Sequence, residues 1–193
     1  MTRVLIVAPH LDDETLGYSR ERIAQGQAEI REVSSRNGMA SLHCLEFPTT
    51  QLDILPMPEL VGSMGRAFKD AAPNRVYLPF PGDVHSDHWQ VFDAALACTK
   101  WFRYSSVTSD LAYETISGTE FGISPRASSF DPNCFVDISE FFDEKVSILR
   151  IYASELGLFP FPRSIEAVRA RATFRGSRAG SATAGAFMVL KEV

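Results

Sequence analysis

Four histidines and three cysteines are all that this chain of 193 residues has of the side chains that most often bind transition metals. The cysteines, Cys44, Cys98 and Cys134, are odd in number and widely spaced, with no Cys-x-x-Cys pair. That argues against a disulfide framework and against a cysteine zinc cluster. They read as buried thiols of a cytosolic protein, and cytoplasm is the expected compartment. Long apolar runs are also lacking. The stretch "VLIVA" (4–8) falls short of a signal-peptide core and of a membrane span, so no membrane insertion is expected. Basic residues are in deficit: the net charge is −5, which argues against a nucleic-acid partner, although one or two arginines can still hold a small anionic substrate. Repeats and low-complexity tracts are absent. With hydrophobic residues at 45% and charged residues at 22%, disorder is excluded and one domain spanning 1–193 is expected.

What is present alternates. "RVLIVAP" (3–9), "SLHCLEF" (41–47) and "RVYLPFP" (75–81) read as interior strands, nearly continuous in apolar residues. "MPELVGSMGRAFKDAA" (57–72) and "DHWQVFDAALACTKWF" (87–102) carry helical spacing. "VTSDLAYE" (107–114), "CFVDI" (134–138) and the terminal "GAFMVLKEV" read as further strands. Ser139 is expected to cap a helix that runs to Gly157, and a last helix is expected to close at Gly176. The pattern predicts an α/β domain with a mainly parallel sheet, whose ligands sit beyond the carboxyl ends of the strands.

Three of the four histidines cluster at two such ends. "APHLDDETLG" (8–17) places His10, Asp12, Asp13 and Glu14 after the first strand; "GDVHSDHWQ" (82–90) places His85, Asp87 and His88 after the strand 75–81. A catalytic zinc site takes three protein ligands and keeps one position open, and two histidines with a carboxylate are a recognised set. Adjacent aspartates leave the backbone in different directions, so one can ligate and the other act as a base toward water. His85 and His88 are about one helical turn apart, so one can ligate while the other faces the substrate. Asp87 can orient a histidine or bond backbone donors at the helix start. Each stretch alone is also compatible with plain helix capping or a solvated helix start; their joint placement favours a metal site. His43, inside a strand pattern, reads as a satisfied core or surface histidine.

At "PHLDDE" and "HSDH" the sequence resembles the PIG-L/LmbE-like zinc deacetylases, which carry a Pro-His-x-Asp-Asp-Glu motif and, farther on, His-x-Asp-His. The likeness continues more weakly through "LEFP", "YE" (113–114), "PNCFVDIS", "PRS" (162–164) and the closing "AF". It implies a Rossmann-like three-layer domain that removes N-acetyl groups from GlcNAc-type amino sugars. Position by position, it implies His10, Asp13 and His88 as ligands of Zn²⁺, with Fe²⁺ as the alternative metal. Asp12 is implied as general base and later acid, His85 as stabiliser of the oxyanion, Asp87 as the residue tuning it, and Glu14 as a supporting residue. Arg20, Arg22 and Arg163 border the expected site and are candidates for substrate contact, each against the plainer reading of a solvated arginine.

Two departures stand out. The family pattern places a Gly-Gly turn and a second strand after the first motif, whereas here "TLGY" runs straight into "SRERIAQGQAEI". Loss of a central strand would break a parallel sheet, so a segment is expected to be missing between Tyr18 and Ser19. The family's Glu before the closing "AF" is Gly185 here. The expected activity is metal-dependent N-deacetylation of an amino sugar or its conjugate, with the oligomeric state left open. The rivals are an amidase of a thiol-sugar or other N-acyl compound, and a non-catalytic sugar- or nucleotide-binding module. The module is disfavoured because the first strand lacks Gly-x-Gly-x-x-Gly and the carboxylates would repel a pyrophosphate. A two-metal phosphoesterase would need more ligands than the chain offers.

Overall fold

A computed structural model of the chain describes residues 2–10, 20–48, 50–122, 129–153 and 155–193. Asp12, Asp13, Glu14 and the Tyr18–Ser19 junction lie outside them. Five strands, β1 (Val4–Ile6), β2 (Arg75–Pro79), β3 (Ser109–Tyr113), β4 (Cys134–Asp137) and β5 (Ala184–Glu192), form one sheet in the order β1-β2-β3-β5-β4. The helices are α1 (Arg20–Arg36), α2 (Met57–Ala71), α3 (Ser86–Ala97), α4 (Phe142–Leu149) and α5 (Ile165–Ala179). β1, β2 and β3 run parallel, with Val4 opposite Arg75 and Arg75 opposite Ser109. β3 and β5 are antiparallel, so the sheet is mixed. Among the described residues, no helix is long and apolar enough to cross a membrane.

The chain divides into two compact units. The first comprises Met1–Pro9, His43–Cys134 and Phe187–Val193. Its core forms around β2, whose Val76 and Leu78 are fully buried. Parallel strands on both sides explain why β2 is an almost unbroken apolar run. α2 starts with Pro58 in its first turn, where the missing N–H costs nothing, and presents Leu60, Met64 and Phe68 at four-residue spacing. It stops at Ala72, a left-handed residue at φ 41°, just before Pro73. α3 adds Val91, Ala94 and Ala95 to the same core, and Leu5 and Val7 pack against it from β1. At the far end of the sheet Asp110 is buried and lies 3.8 Å from Lys191, beside a bulge where Leu111 pairs with Val189. Lys191 also donates to the carbonyls of Thr99 and Val107.

The second unit comprises His10–Leu42 and Phe135–Ala186 and buries Val33, Phe142, Val146, Val168 and Ala172. Ser164 caps α5 by accepting the Ala167 N–H at 3.2 Å. Arg169 of α5 lies over the Phe142 ring of α4 at 4.6 Å. Arg36 of α1 donates to Ser147 of α4 at 3.2 Å.

Three expected elements differ. Residues 41–47 form no strand: Leu42 and Leu45 are exposed, and Glu46 at φ 56° breaks any extended run. The apolar residues there do not mark an interior strand. The helix after β4 is not capped by Ser139, which opens a short 3₁₀ turn and donates to Asp137 at 2.6 Å. That helix ends at Leu149, where the chain tightens into three-residue turns, Ile151 to Ile148 and Tyr152 to Leu149. α5 passes Gly176 and closes at Gly180, left-handed at φ 73°. Gly176 serves close packing instead, since a Cβ there would sit 2.7 Å from the Ser181 carbonyl.

Candidate active site

The parallel pairing of β1, β2 and β3 brings their carboxyl ends to one edge. The Val7 N–H bonds the Tyr77 carbonyl one residue past β1, and the Phe80 N–H bonds the Tyr113 carbonyl one residue past β2. Tyr113, the last residue of β3, donates its hydroxyl to the Val7 carbonyl at 2.9 Å. Pro9 then leads directly into His10, which is half-buried. From β2 the chain turns through Pro81 and Gly82 into Asp83, His85 and α3.

His85 is the N-cap of α3. It has the extended backbone of such a position (φ −81°, ψ 125°), and its Nδ1 accepts the Asp87 N–H at 3.1 Å. When the ring is neutral, its proton therefore lies on Nε2. His88, one turn on, is arranged in the opposite sense. Its Nδ1 lies 3.0 Å from Asp83 Oδ2, with the side chains only 8% and 0% exposed. The contact places a carboxylate directly behind the His88 ring, although the Nδ1 makes no hydrogen bond of good geometry to it. The two rings stack with centroids 5.4 Å apart.

Asp87 is fully buried. Its Oδ2 accepts from the Thr50 N–H at 2.7 Å and its Oδ1 from the Leu52 N–H at 3.3 Å. Of the two roles open to it from the sequence, bonding backbone donors is realised, although the donors belong to the segment before α2 and not to α3. His85 and Asp87 offer potential metal-ligand atoms within 4.8 Å of one another.

The carboxylate at position 83 was not singled out from sequence. It is buried and accepts from the His85 N–H at 3.2 Å and from the Thr119 hydroxyl at 3.3 Å. Its proximity to "HSDH" was a signal, but its pairing with a residue five positions on was not readable. Tyr113 was likewise unassigned. Burial, with the negative charge of Asp83 as a second cause, pushes its phenol well above the ordinary tyrosine range, so it remains a donor.

Arg20 and Arg22 fall in the first turn of α1. Arg163 forms an ion pair with Glu155 at 3.1 Å and donates to the Glu155 carbonyl, both side chains being largely buried. His43 Nε2 lies 3.5 Å from the exposed Asp70. Gly185 is half-buried in β5.

No family model matches the sequence, and no curated protein matches it. Solved structures do. The conserved protein TT1542 from Thermus thermophilus has 23% identity and a TM-score of 0.75, over 100% of this chain and 96% of that one. The N,N'-diacetylchitobiose deacetylase of Pyrococcus horikoshii has 17% identity and a TM-score of 0.70, over 97% and 72%. The A40926 pseudoaglycone deacetylase Dbv21 has 14% identity and a TM-score of 0.68, over 100% and 98%. A hydratase, GalB of Pseudomonas putida, is similar as well, at 13% identity and 0.64 over 93% and 77%. The chain therefore shares its α/β fold with deacetylases, and the fold alone does not set the reaction.

Proposed function

We propose that this protein is a metal-dependent N-deacetylase of the PIG-L/LmbE type, acting on an N-acetylated amino sugar or its conjugate. The observation that carries the reading is the placement of two stacked histidines at the start of α3, beyond the carboxyl end of β2, with the buried Asp83 3.0 Å from His88 and the Asp87 N–H on His85 Nδ1. A metal-dependent amide hydrolase needs a ligand and a donor side by side, and two imidazoles one turn apart can supply both. The similarity in fold to two deacetylases supports the same class.

His10, Asp13 and His88 are the proposed ligands, two neutral imidazoles and a carboxylate. A divalent ion held there, Zn²⁺ or Fe²⁺, would supply Lewis acidity toward the amide carbonyl and would make water more acidic. Asp12 takes the proton from the attacking water and returns it to the departing amine. His85 donates from Nε2 to the amide oxygen as that oxygen gains negative charge. Asp87 holds the start of α3 against Thr50 and Leu52, which fixes where both imidazoles stand. Acetate leaves and the sugar keeps a free amine.

Acetate release from a panel of N-acetylated amino sugars, measured on metal-loaded protein, tests this directly. Turnover of N-acetyl sugars is expected. Cleavage of longer N-acyl or thiol-sugar amides alone would move the protein to the amidase reading, and metal binding without any hydrolysis would reduce it to a binding module.

A further inference from the structure

β1 is an edge strand. β2 pairs with one side of it, and among the described residues no strand pairs with the other. The hydrogen bonds fix which groups face outward. The Arg3 carbonyl accepts from the Arg75 N–H at 3.1 Å, and the Val7 N–H donates to the Tyr77 carbonyl at 2.9 Å. Arg3, Leu5 and Val7 therefore turn their peptide groups toward β2, and the alternation of a parallel ladder turns those of Val4 and Ile6 to the open side. The side chains of Val4 and Ile6 are exposed as well, at 52% and 56%, whereas Leu5 and Val7 pack against the core from the opposite face. The usual guards of an edge are missing here. No proline and no acidic residue interrupts "RVLIV", the register with β2 runs without a bulge, and the single charge, Arg3, stands at the strand's start. Outward N–H and carbonyl groups at a two-residue repeat are met by an extended chain and not by a helix.

We propose that the open side of β1 binds β1 of a second copy of this chain, antiparallel, about a two-fold axis at Leu5. In that register the edge is its own complement. Val4 stands opposite Ile6 of the second copy, and Ile6 opposite its Val4, each pair exchanging N–H···O=C bonds in both directions. Leu5 meets Leu5 across the axis as the non-hydrogen-bonded pair. The exposed aliphatic side chains of the two copies then stand side by side on one face of a continuous sheet, covering apolar surface that a single copy leaves in water. A two-fold contact closes on itself, whereas β1 seated on any other strand would leave a second β1 open and the assembly would grow. The axis also turns the carboxyl ends of the two sets of parallel strands in opposite directions, so each copy keeps its own candidate site. The contact is shorter than a permanent interface, so monomer and dimer exchange, with a dissociation constant between ~1 μM and ~1 mM.

Sedimentation velocity across that concentration range is expected to show monomer and dimer in equilibrium. Amide exchange at Val4 and Ile6 should slow as the dimer fills, while Leu5, already bonded to β2, changes little. Ile6→Lys alters an exposed side chain and brings like charges together across the axis, so it should weaken the dimer ~10-fold or more without unfolding the monomer. Leu5→Cys reads the register, in a Cys44→Ser background that removes the exposed thiol. Opposed Cα atoms of a non-hydrogen-bonded pair lie ~4.5 Å apart, within reach of a disulfide, so mild oxidation should yield a covalent dimer. Where Leu5→Cys fails to fold, sedimentation and exchange carry the test. A monomer at every concentration overturns the proposal. A dimer that Ile6→Lys leaves intact overturns it too, since the contact then lies on another surface, and so does a folded Leu5→Cys dimer that forms no disulfide. Assemblies that grow past two would mean a head-to-tail edge contact, and Val4 and Ile6 amides protected in the monomer would mean an edge covered within one chain; either result overturns the two-fold pairing.

Discussion

The phenol of Tyr113, at the end of β3, reaches across β2 to the carbonyl of Val7, 2.9 Å away at the end of β1. A hydrogen bond between strands that are not neighbours fixes the point where the chain leaves β1 for Pro9 and His10. It also places a neutral donor beside the negative charge of Asp83, the second cause of the phenol's raised pKa.

Tyr113→Phe removes that bond and nothing else of comparable size. A typical intramolecular hydrogen bond contributes about 1 kcal/mol net, and a loss of that order is expected in urea unfolding near neutral pH. The pH dependence follows from the raised pKa. The folded state keeps the phenolic proton more tightly than the unfolded chain does, so the stabilisation is complete below pH 10.0, the ordinary tyrosine value. It is lost as pH rises above that value. The phenylalanine variant should therefore have a shallower alkaline decline, and identical declines would show that Tyr113 ionises in the folded protein as it does when unfolded.

His88 and His85 should separate in a metal assay. His88→Ala is expected to lose stoichiometric metal in elemental analysis. His85→Ala is expected to keep it and to lose turnover by ~10²–10³-fold, the usual cost of one oxyanion donor. Metal lost from the His85 variant and kept in the His88 variant would exchange the two roles.

Asp12→Asn preserves shape and removes the proton acceptor. Metal content should stay at the wild-type level while kcat falls by ~10²–10⁴-fold. Near-normal turnover would place the base elsewhere, with Glu14 the remaining carboxylate of the run beside the proposed ligand Asp13.

Asp110 offers a test away from the site. Burial holds its carboxyl above the usual value, against the opposing influence of the Thr99 hydroxyl and of Lys191. Because the folded state binds this proton more tightly, the contribution to stability is greatest below the ordinary carboxylate value and declines as pH rises through the raised one. Asp110→Asn should remove that decline. The difference in urea midpoint between wild type and variant, followed from pH 3 upward, should change across this window; a flat difference would mean that Asp110 titrates as it does in the unfolded chain.

Where a local pattern and a tertiary demand agreed, the sequence was legible. β2 is a buried apolar run bounded by its own prolines, and α2 combines a first-turn Pro58 with Leu60, Met64 and Phe68 on one face. Both followed from periodicity. Of the apolar residues in 41–47 Phe47 packs on the core while Leu42 and Leu45 stay exposed, and nothing local distinguishes that from a strand. The early end of α4 was hidden for a similar reason: Glu155 lies in the span expected to be helical, yet it pairs with Arg163, which the sequence places in a loop. In the site, "HSDH" at a strand's end was readable because one stretch of chain carries it. The surroundings of Asp83 were not, since Gly118 and Thr119 reach it from beyond β3.

The tie between Asp87 and the amides of Thr50 and Leu52 has a consequence for how the molecule opens. Among its described residues the segment before α2 pairs with no strand, and by appearance it is an ordinary surface connection. Yet two of its N–H groups end on a buried carboxylate in the first turn of α3, so they cannot meet solvent unless that turn loosens too. In hydrogen exchange Thr50 and Leu52 should keep time with the helix start and not with their own neighbours. The segment breathes at the pace of the histidines that follow Asp83.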